Sequence, residues 1–590
     1  MGCAMLGAEA NGILFLHLER DLTGVRLVEV DSAAGVVKGS RKGQGQGGGI
    51  GFEVRAEAGK TVYIGSCEDP QFERIEFADV AEAGRLRTIQ VGRDAGQFII
   101  RVPADGARSV RFFEERPAVE RGAEVLPRNV ITEIQLPPLD EIQRKGEARA
   151  FSAGAKVSTL VSNGPPELRV NVVVLAEGYT AAQEFAFTNR AKSVFAQMMN
   201  VSPYREYSNH FNAFAIFAPS AQAGSDHPAQ GTYRDTYFNS SYGVGALERL
   251  ITIPPNNWNS NFADGRGKVF ALLAEMMPQY DIPLLLVNDT EYGGSGGVPA
   301  IASINDFSDE LALHEIGHSF AGLADEYEDD LSGYPDVEAA NTTKETRREF
   351  VKWRSWIAPG TPVPTPEQSP YLNVVGLFEG AYFHSTGWYR PKFDCRMRNL
   401  SVPFCEVCRE THLLKIYSLV EPIPRSTPVE NNLTVPPGGE LELRVESVEP
   451  AIGALIYTWT VDGVTNNAVT GRSFTASRAT LGSGTRLVRV NVIDETAFVR
   501  NDPLGRLLES RSWLVQVSSP TVSASNPEIT AEGILIEFTS DFPTGMVLEF
   551  SDDLQEWKAV ATENSATELS YLAAESGAQK MGFYRLRVVP

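Results

Sequence analysis

Histidine and cysteine are scarce in this chain, seven and five among 590 residues. So few cysteines exclude a small disulfide-held scaffold. Positive charge is also short: 53 Lys and Arg stand against 75 Asp and Glu, for a formal charge of −22. That balance argues against nucleic acid or an anionic membrane surface as partner, since both would be repelled. No apolar run approaches the roughly 18 residues a membrane-spanning helix needs. What remains is ordinary globular material, 43% hydrophobic and 22% charged, and a soluble chain is expected.

Two of the cysteines, Cys3 and Cys67, stand alone, while Cys395, Cys405 and Cys408 cluster. A local disulfide within the trio is the favoured reading and suits an oxidising compartment. Cys405-x-x-Cys408-x-x-x-His412 also has ligand spacing for a small metal knot, and buried thiols are the third reading. Residues 1–10 lack the basic start and apolar core of a complete signal peptide. Cys3 reads as an ordinary thiol, with a lipoprotein-signal remnant as the alternative.

The length exceeds one core and implies several domains. Residues 12–118 alternate in short strands, such as Gly51-Phe-Glu-Val-Arg, Thr61-Val-Tyr-Ile and Gln97-Phe-Ile-Ile-Arg-Val, and predict an N-terminal β-sandwich with a flexible loop at 43–49. A connector spans 119–165. Residues 166–420 alternate strands with helices, an α/β layer. There Leu168-Arg-Val-Asn-Val-Val-Val-Leu-Ala reads as a strand buried on both faces. After Thr180, a capping residue, Phe187, Ala191, Val194, Phe195 and Met198 fall at helical spacing. Further elements are strands at 211–217 and 283–287 and a helix near 268–277. Helical patterning then stops. Residues 425–520 predict an immunoglobulin-like sandwich and 521–590 a small C-terminal β domain.

The chemistry concentrates in Ser308-Asp-Glu-Leu-Ala-Leu-His-Glu-Ile-Gly-His-Ser-Phe-Ala-Gly-Leu-Ala-Asp-Glu-Tyr. Ser308 predicts an N-cap, and Asp309 and Glu310 suit the positive end of the helix dipole. His314 and His318 are four apart, so both imidazoles leave one helical face and can share a cation. Glu315 beside them can take a proton from a metal-activated water. Gly322 can end the helix and turn the chain back, which offers Asp325 or Glu326 as third ligand. Asp325 is preferred, with Glu326 then supporting a histidine from behind.

The run from His314 to Tyr327 resembles the active-site signature of the bacterial IgA-peptidase family of metallopeptidases. Asn171-Val-Val-Val-Leu-Ala-Glu-Gly-Tyr-Thr, Asn288-Asp-Thr-Glu-Tyr-Gly-Gly-Ser-Gly-Gly, Gly376-Leu-Phe-Glu-Gly-Ala-Tyr, Asp394-Cys-Arg-Met and Phe404-Cys-Glu-Val-Cys extend the likeness over about 168–412. The resemblance implies a zincin-like zinc endopeptidase that is secreted, periplasmic or on the cell surface, with accessory β domains and a protein or peptide substrate. It implies His314, His318 and Asp325 as ligands and Glu315 as base. A metzincin would place glycine three residues after the second histidine and a third histidine beyond it. Here the glycine falls four later and an acid replaces the histidine.

By the same likeness Met397 could lie in a turn beneath the metal, or be ordinary core. The strand Leu284-Leu-Leu-Val-Asn-Asp could be the sheet edge that pairs with substrate, or a buried strand. Tyr382 or Tyr389 could stabilise the oxyanion, with His384 as another donor, or wall the cleft. His227 reads as a loop residue, and His17 and His210 as structural. Two rivals carry different functions. One is a non-catalytic adhesion or glycan-binding protein, its β modules making glycan or cell-surface contacts; the other is a zinc amidase.

Overall fold

The structure, a computed structural model, describes the chain except residues 1–11, 39–48, 68, 79–85, 93, 115–128, 140, 143–153, 244–248, 255–264, 306, 329–337, 575–581 and 590. Cys3, the N-terminal ten residues and most of the 43–49 loop lie outside the described residues, as does much of the 119–165 connector. The chain forms two compact units. The first comprises 1–421 with the loops 448–454 and 495–507, the second 422–447, 455–494 and 508–590.

The first unit begins with β1 (Gly12–Asp21), β2 (Gly24–Ala34), β3 (Ile50–Arg55), β4 (Thr61–Cys67), β5 (Phe72–Ala78), β6 (Leu86–Gly92), β7 (Ala95–Pro103), β8 (Ser109–Glu114) and β9 (Val130–Gln135). They pair as a three-stranded sheet β2-β1-β7, a four-stranded sheet β4-β3-β8-β9 and the ribbon β5-β6. Successive side chains of a strand face opposite ways, and β1 uses both faces. Leu14, Leu16 and Leu18 pack with Phe52, Val54 and Phe112. Ile13 and Phe15 enter a different core with Val173, Leu175 and Leu285. One strand thus serves two cores, which ties the N-terminal strands to the segment that follows.

That segment contains β10 (Lys156–Val161), β11 (Val170–Glu177), helix α1 (Glu184–Met199), β12 (Phe211–Phe217), the short pair β13 (Ser241–Tyr242) and β14 (Ile251–Thr252), helix α2 (Gly265–Met276), β15 (Ile282–Val287), β16 (Gly294–Ser295), β17 (Ala300–Ser303) and helix α3 (Ser308–Ser319). The central sheet runs β10-β12-β11-β15-β17-β16. β11 is buried along its whole length, with parallel neighbours on both sides. This is the setting its unbroken apolar run calls for. Thr180 and Gln183 form a capping box over a 3-10 turn that leads into α1. The buried face of α1 is Phe187, Ala191, Val194, Phe195 and Met198.

The edge-strand expectation is corrected. Residues 284–287 belong to β15, which is interior and pairs in parallel with both β11 and β17. The edge beyond β17 is instead the antiparallel β16, whose glycine at 294 carries no apolar signal for pattern reading.

The first unit closes with a hairpin, β18 (Phe378–Ala381) and β19 (His384–Arg390), and helix α4 (Glu406–Leu419). Among the described residues no helix is long and apolar enough to cross a membrane.

In the second unit, a three-stranded sheet (Arg425–Thr427, Glu440–Glu446, Ser473–Ser477) and a five-stranded sheet (Asn432–Val435, Leu508–Val517, Gly484–Ile493, Ile456–Val461, Val464–Thr465) share one core. Trp459 and Trp513 stack there at 5.9 Å, and each indole N–H donates to a backbone carbonyl. A last sheet is organised on the long strand Gly533–Ser551, which pairs with both Lys558–Ala574 and Phe583–Val589.

Candidate metal centre

Helix α3 carries the histidines, and its start differs from the expected cap. Phe307 occupies the N-cap position without a side-chain bond. The Ser308 hydroxyl turns to the β16 side, donating to the Gly293 carbonyl at 3.0 Å and meeting Ser303 Oγ at 2.8 Å. The neighbouring acids are held by guanidinium groups: Asp309 by Arg190 at 2.8 Å and Glu310 by Arg396 at 3.1 Å.

One turn apart, His314 and His318 are buried with Nε2 atoms 2.9 Å from each other. Each ring uses Nδ1 on a carbonyl: His314 on Arg396 O at 2.8 Å, His318 on Leu323 O at 2.6 Å. A carbonyl only accepts, so each Nδ1 must carry the proton. Each neutral ring then keeps the lone pair of Nε2 for a cation.

The chain reverses just after the helix. Gly322 adopts φ +66, a left-handed conformation that glycine takes at no steric cost. Gly322 N donates to His318 O at 2.9 Å and Leu323 N to Gly317 O at 3.0 Å. Four consecutive residues then enter four environments. Asp325 Oδ1 lies 3.2 Å from both histidine Nε2 atoms. Glu326 faces three cysteines, its Oε1 accepting from the Cys408 thiol at 3.3 Å and from Asn341 Nδ2 at 2.9 Å. Tyr327 packs with Leu86, Leu311 and Phe383, and its hydroxyl meets Thr88 of β6. Glu328 pairs with Arg390 and Arg398. Glu326 therefore does not stand behind a histidine. Carbonyl groups fill that role for both rings.

The donor set fits a divalent ion such as zinc. With ligand bonds of 2.0–2.1 Å, a tetrahedral site has ligand atoms about 3.3 Å apart, and His314, His318 and Asp325 present theirs at 2.9–3.2 Å.

Glu315 is wholly buried on the same helix. Gly296, just past β16, lies against it: a Cβ there would sit 2.0 Å from Glu315 Oε2. The glycine-rich motif thus answers a close approach. Beneath the helix, a Cβ at Gly317 would meet Met397 Sδ at 2.6 Å. The segment around Met397 is doubly tied, since Arg396 O accepts from His314 Nδ1 and Met397 O accepts from Glu326 N at 2.7 Å.

Tyr382 and Phe383 form the two-residue turn of the β18–β19 hairpin, both with positive φ. Side chains rarely adopt this conformation, at a cost of order 1–3 kcal/mol each. Backbone bonds hold it, from Tyr382 N to Asp325 O and from Phe383 N to Tyr327 O, each 3.0 Å. His384 Nδ1 donates to Tyr382 O at 2.5 Å. Tyr389 lies farther along β19, its backbone paired with Thr343. Its phenol is held above the usual range by burial and by the Glu379 carboxylate.

The disulfide expectation is corrected: Cys67, Cys395, Cys405 and Cys408 are free thiols, and Cys395 Sγ and Cys408 Sγ are 3.7 Å apart. Burial pushes the Cys395 and Cys408 thiols and the Glu326 carboxyl well up. Burial also acts on Cys405, but hydrogen bonds from Cys395 and Cys408 outweigh it and bring this thiol to about 6. In the alternative reading of a metal knot, His412 does not join the cysteines. That ring bonds Tyr204 OH through Nδ1 at 2.8 Å. His17 is buried beside Asp31, and His210 is buried between Tyr207 and Tyr417. His227 is a loop residue held by Asp289 at 2.8 Å and stacked on Tyr242.

Three positioning residues escape sequence reasoning. Asn341 clamps Ala324 through both its N–H (2.9 Å) and its carbonyl (2.8 Å), fixing the residue before Asp325. Glu177, buried at the end of β11, gathers Thr236 Oγ1, Phe238 N and Ser240 N at 2.6–2.9 Å. Arg390, wholly buried, joins Glu367 and Glu328 to the hairpin carbonyls. Of these, only Glu177 lies in a motif that could have flagged it.

Residues 158–373 and 367–416 match the family model described as IgA Peptidase M64. The matched region is a metallopeptidase domain. Over that region, under half of the chain, the protein is similar to the IgA peptidase M64 family. No curated protein matches the chain. Among solved structures, β-glucuronidase 3 of Bacteroides uniformis is 9% identical, with 95% of this chain and 74% of that chain covered and a TM-score of 0.12. An FMN-binding β-glucuronidase from Facaelibacterium prausnitzii L2-6 is 9% identical, with 88% and 90% covered and a TM-score of 0.13.

Proposed function

We propose that the 158–416 domain is a zinc-dependent endopeptidase in which His314, His318 and Asp325 hold the metal and Glu315 is the general base. The observation that carries this reading is the meeting of three donor atoms 2.9–3.2 Å apart, two from the helix that also bears Glu315 and one from Asp325 after the turn at Gly322. When bound, zinc would polarise the scissile carbonyl and lower the pKa of water toward about 7. Glu315 takes the proton of the attacking water and delivers it to the leaving nitrogen. Tyr382, tied through its backbone to Asp325, is the favoured donor to the developing oxyanion. Tyr389 is the less favoured candidate because Glu379 engages its phenol.

Glu315 is fully buried on the helix, with Gly296 against its carboxylate. Residues 294–295 at the antiparallel sheet edge lead into Gly296 and offer backbone groups for an extended substrate. An exported location, secreted, periplasmic or cell-surface, goes with this reading.

The test is cleavage of an unfolded protein such as casein by the full chain. Activity that chelation removes and added zinc restores supports the proposal. A zinc-loaded chain that cleaves neither casein nor a peptide library would overturn it in favour of a binding protein on the same scaffold, and selective hydrolysis of non-peptide amides would favour an amidase.

A further inference from the structure

We propose that Cys395, Cys405, Cys408 and Glu326 bind a second divalent cation, zinc by ligand preference, at a closed structural site. One ligand atom from each residue lies within 4.8 Å of all the others, and all four residues are buried. Cys395 Sγ and Cys408 Sγ are 3.7 Å apart. A zinc–thiolate tetrahedron with bonds near 2.3 Å has an edge of about 3.8 Å, whereas a disulfide bond is about 2.05 Å long. The Cys408 Sγ to Glu326 Oε1 separation of 3.3 Å suits a mixed sulfur–oxygen edge.

Local structure also favours a cation. Cys405 is the N-cap of α4 and Cys408 lies in its first turn, where the helix dipole favours thiolates. Cys395 begins a tight turn, with Arg398 N and Asn399 N both donating to its carbonyl. Its sulfur accepts from Cys405 N at 3.2 Å. Glu326 Oε2 is buried with no hydrogen-bond partner among the described residues. An orphaned buried carboxylate oxygen is costly unless a cation meets it. Three sulfurs and one oxygen complete a tetrahedron and leave no open position, the mark of a structural rather than a catalytic zinc.

Such an ion would join three segments that frame the histidine site: the loop carrying Asp325, the turn carrying Met397, and the start of α4. Asp325 and Glu326 are adjacent but serve different clusters, so the second ion would hold the loop from which the first takes its oxygen ligand.

The experiment is metal counting on the full chain by plasma mass spectrometry, with zinc in the medium and no chelator in purification. Two equivalents are expected in the wild type. One is expected in H314A/H318A, and one in C405S/C408S. Because the serine variant could fail to fold, H314A/H318A is also loaded with cobalt. A thiolate-to-cobalt charge-transfer band, and release of the ion by a mercurial reagent, are expected there. A metal-free H314A/H318A with no such band would overturn the inference. So would a Cys395–Cys408 disulfide found by non-reducing peptide mapping. Retention of a single ion by both the wild type and H314A/H318A would instead uphold this site and overturn the assignment of the histidine ligands.

Discussion

The α3 region and the second compact unit use buried space in opposite ways. Around α3 the interior holds His314, Glu315, His318, Asp325 and Glu326 together with three cysteines. The shared core of the second unit is Val435, Leu443, Trp459, Phe474, Val488, Val490, Trp513 and similar residues, and beyond His412 the chain has no histidine or cysteine at all. Apolar burial stabilises a fold without directing chemistry. Buried ionisable groups cost stability unless they are paired, and they persist where a cation or a reaction uses them. The difference sets the proposed chemistry in the first unit, apart from the apolar core of the second.

Substitutions on the two sides should therefore fail in different ways. Glu315→Gln should lower kcat/KM by about 10²–10⁴-fold while the metal count and the melting temperature stay at wild-type values. An equal loss of metal would make Glu315 a structural group. Trp459→Ala, in the second unit, should lower unfolding stability by about 3–5 kcal/mol, read from denaturant melts. Its kcat/KM per folded molecule should be unchanged, and a fall there would break the comparison.

Asn341→Ala frees the residue before Asp325 and should weaken metal affinity about 10–100-fold, as losses of groups that orient a ligand do. Competition against a chelating dye reads this, and unaltered affinity would show that the loop is held without the clamp. The last effect concerns acid. Burial first, then Arg169, lowers His210 to about 3 in the folded chain from an ordinary 6.5. Between those pH values the unfolded chain binds the extra proton, so stability falls as pH drops through that window. His210→Gln should flatten that slope in melts across the window, whereas an unaltered slope would assign it to other groups.

Legibility followed the same division. Strands of the second unit, such as 456–461 and 484–493, follow alternation that a single sequence displays. So does α1, whose apolar spacing matches its buried face. In the site region the spacing of His314 and His318 and the breaking residue Gly322 were readable, because helix periodicity and left-handed glycine are local rules. The fate of Glu326 was not. Adjacent carboxylates look alike in sequence, and only the turn through Leu323 and Ala324 sends one to the histidines and the other to the cysteines. Whether β15 was an edge or a buried strand stayed open for a related reason, since an apolar run does not reveal which of its sides has a neighbour. Asn341 and Arg390 act across long sequence separations and have no local signature.

Diffraction at the zinc absorption edge from crystals of the full chain grown with zinc would test the central claim most directly. The account predicts an anomalous peak 2.0–2.1 Å from His314 Nε2 and His318 Nε2 and about 2.0–2.2 Å from an Asp325 oxygen, with Glu315 beside it and outside bonding distance. No peak between the two imidazoles, or one ligated by Glu315 in place of Asp325, would contradict it.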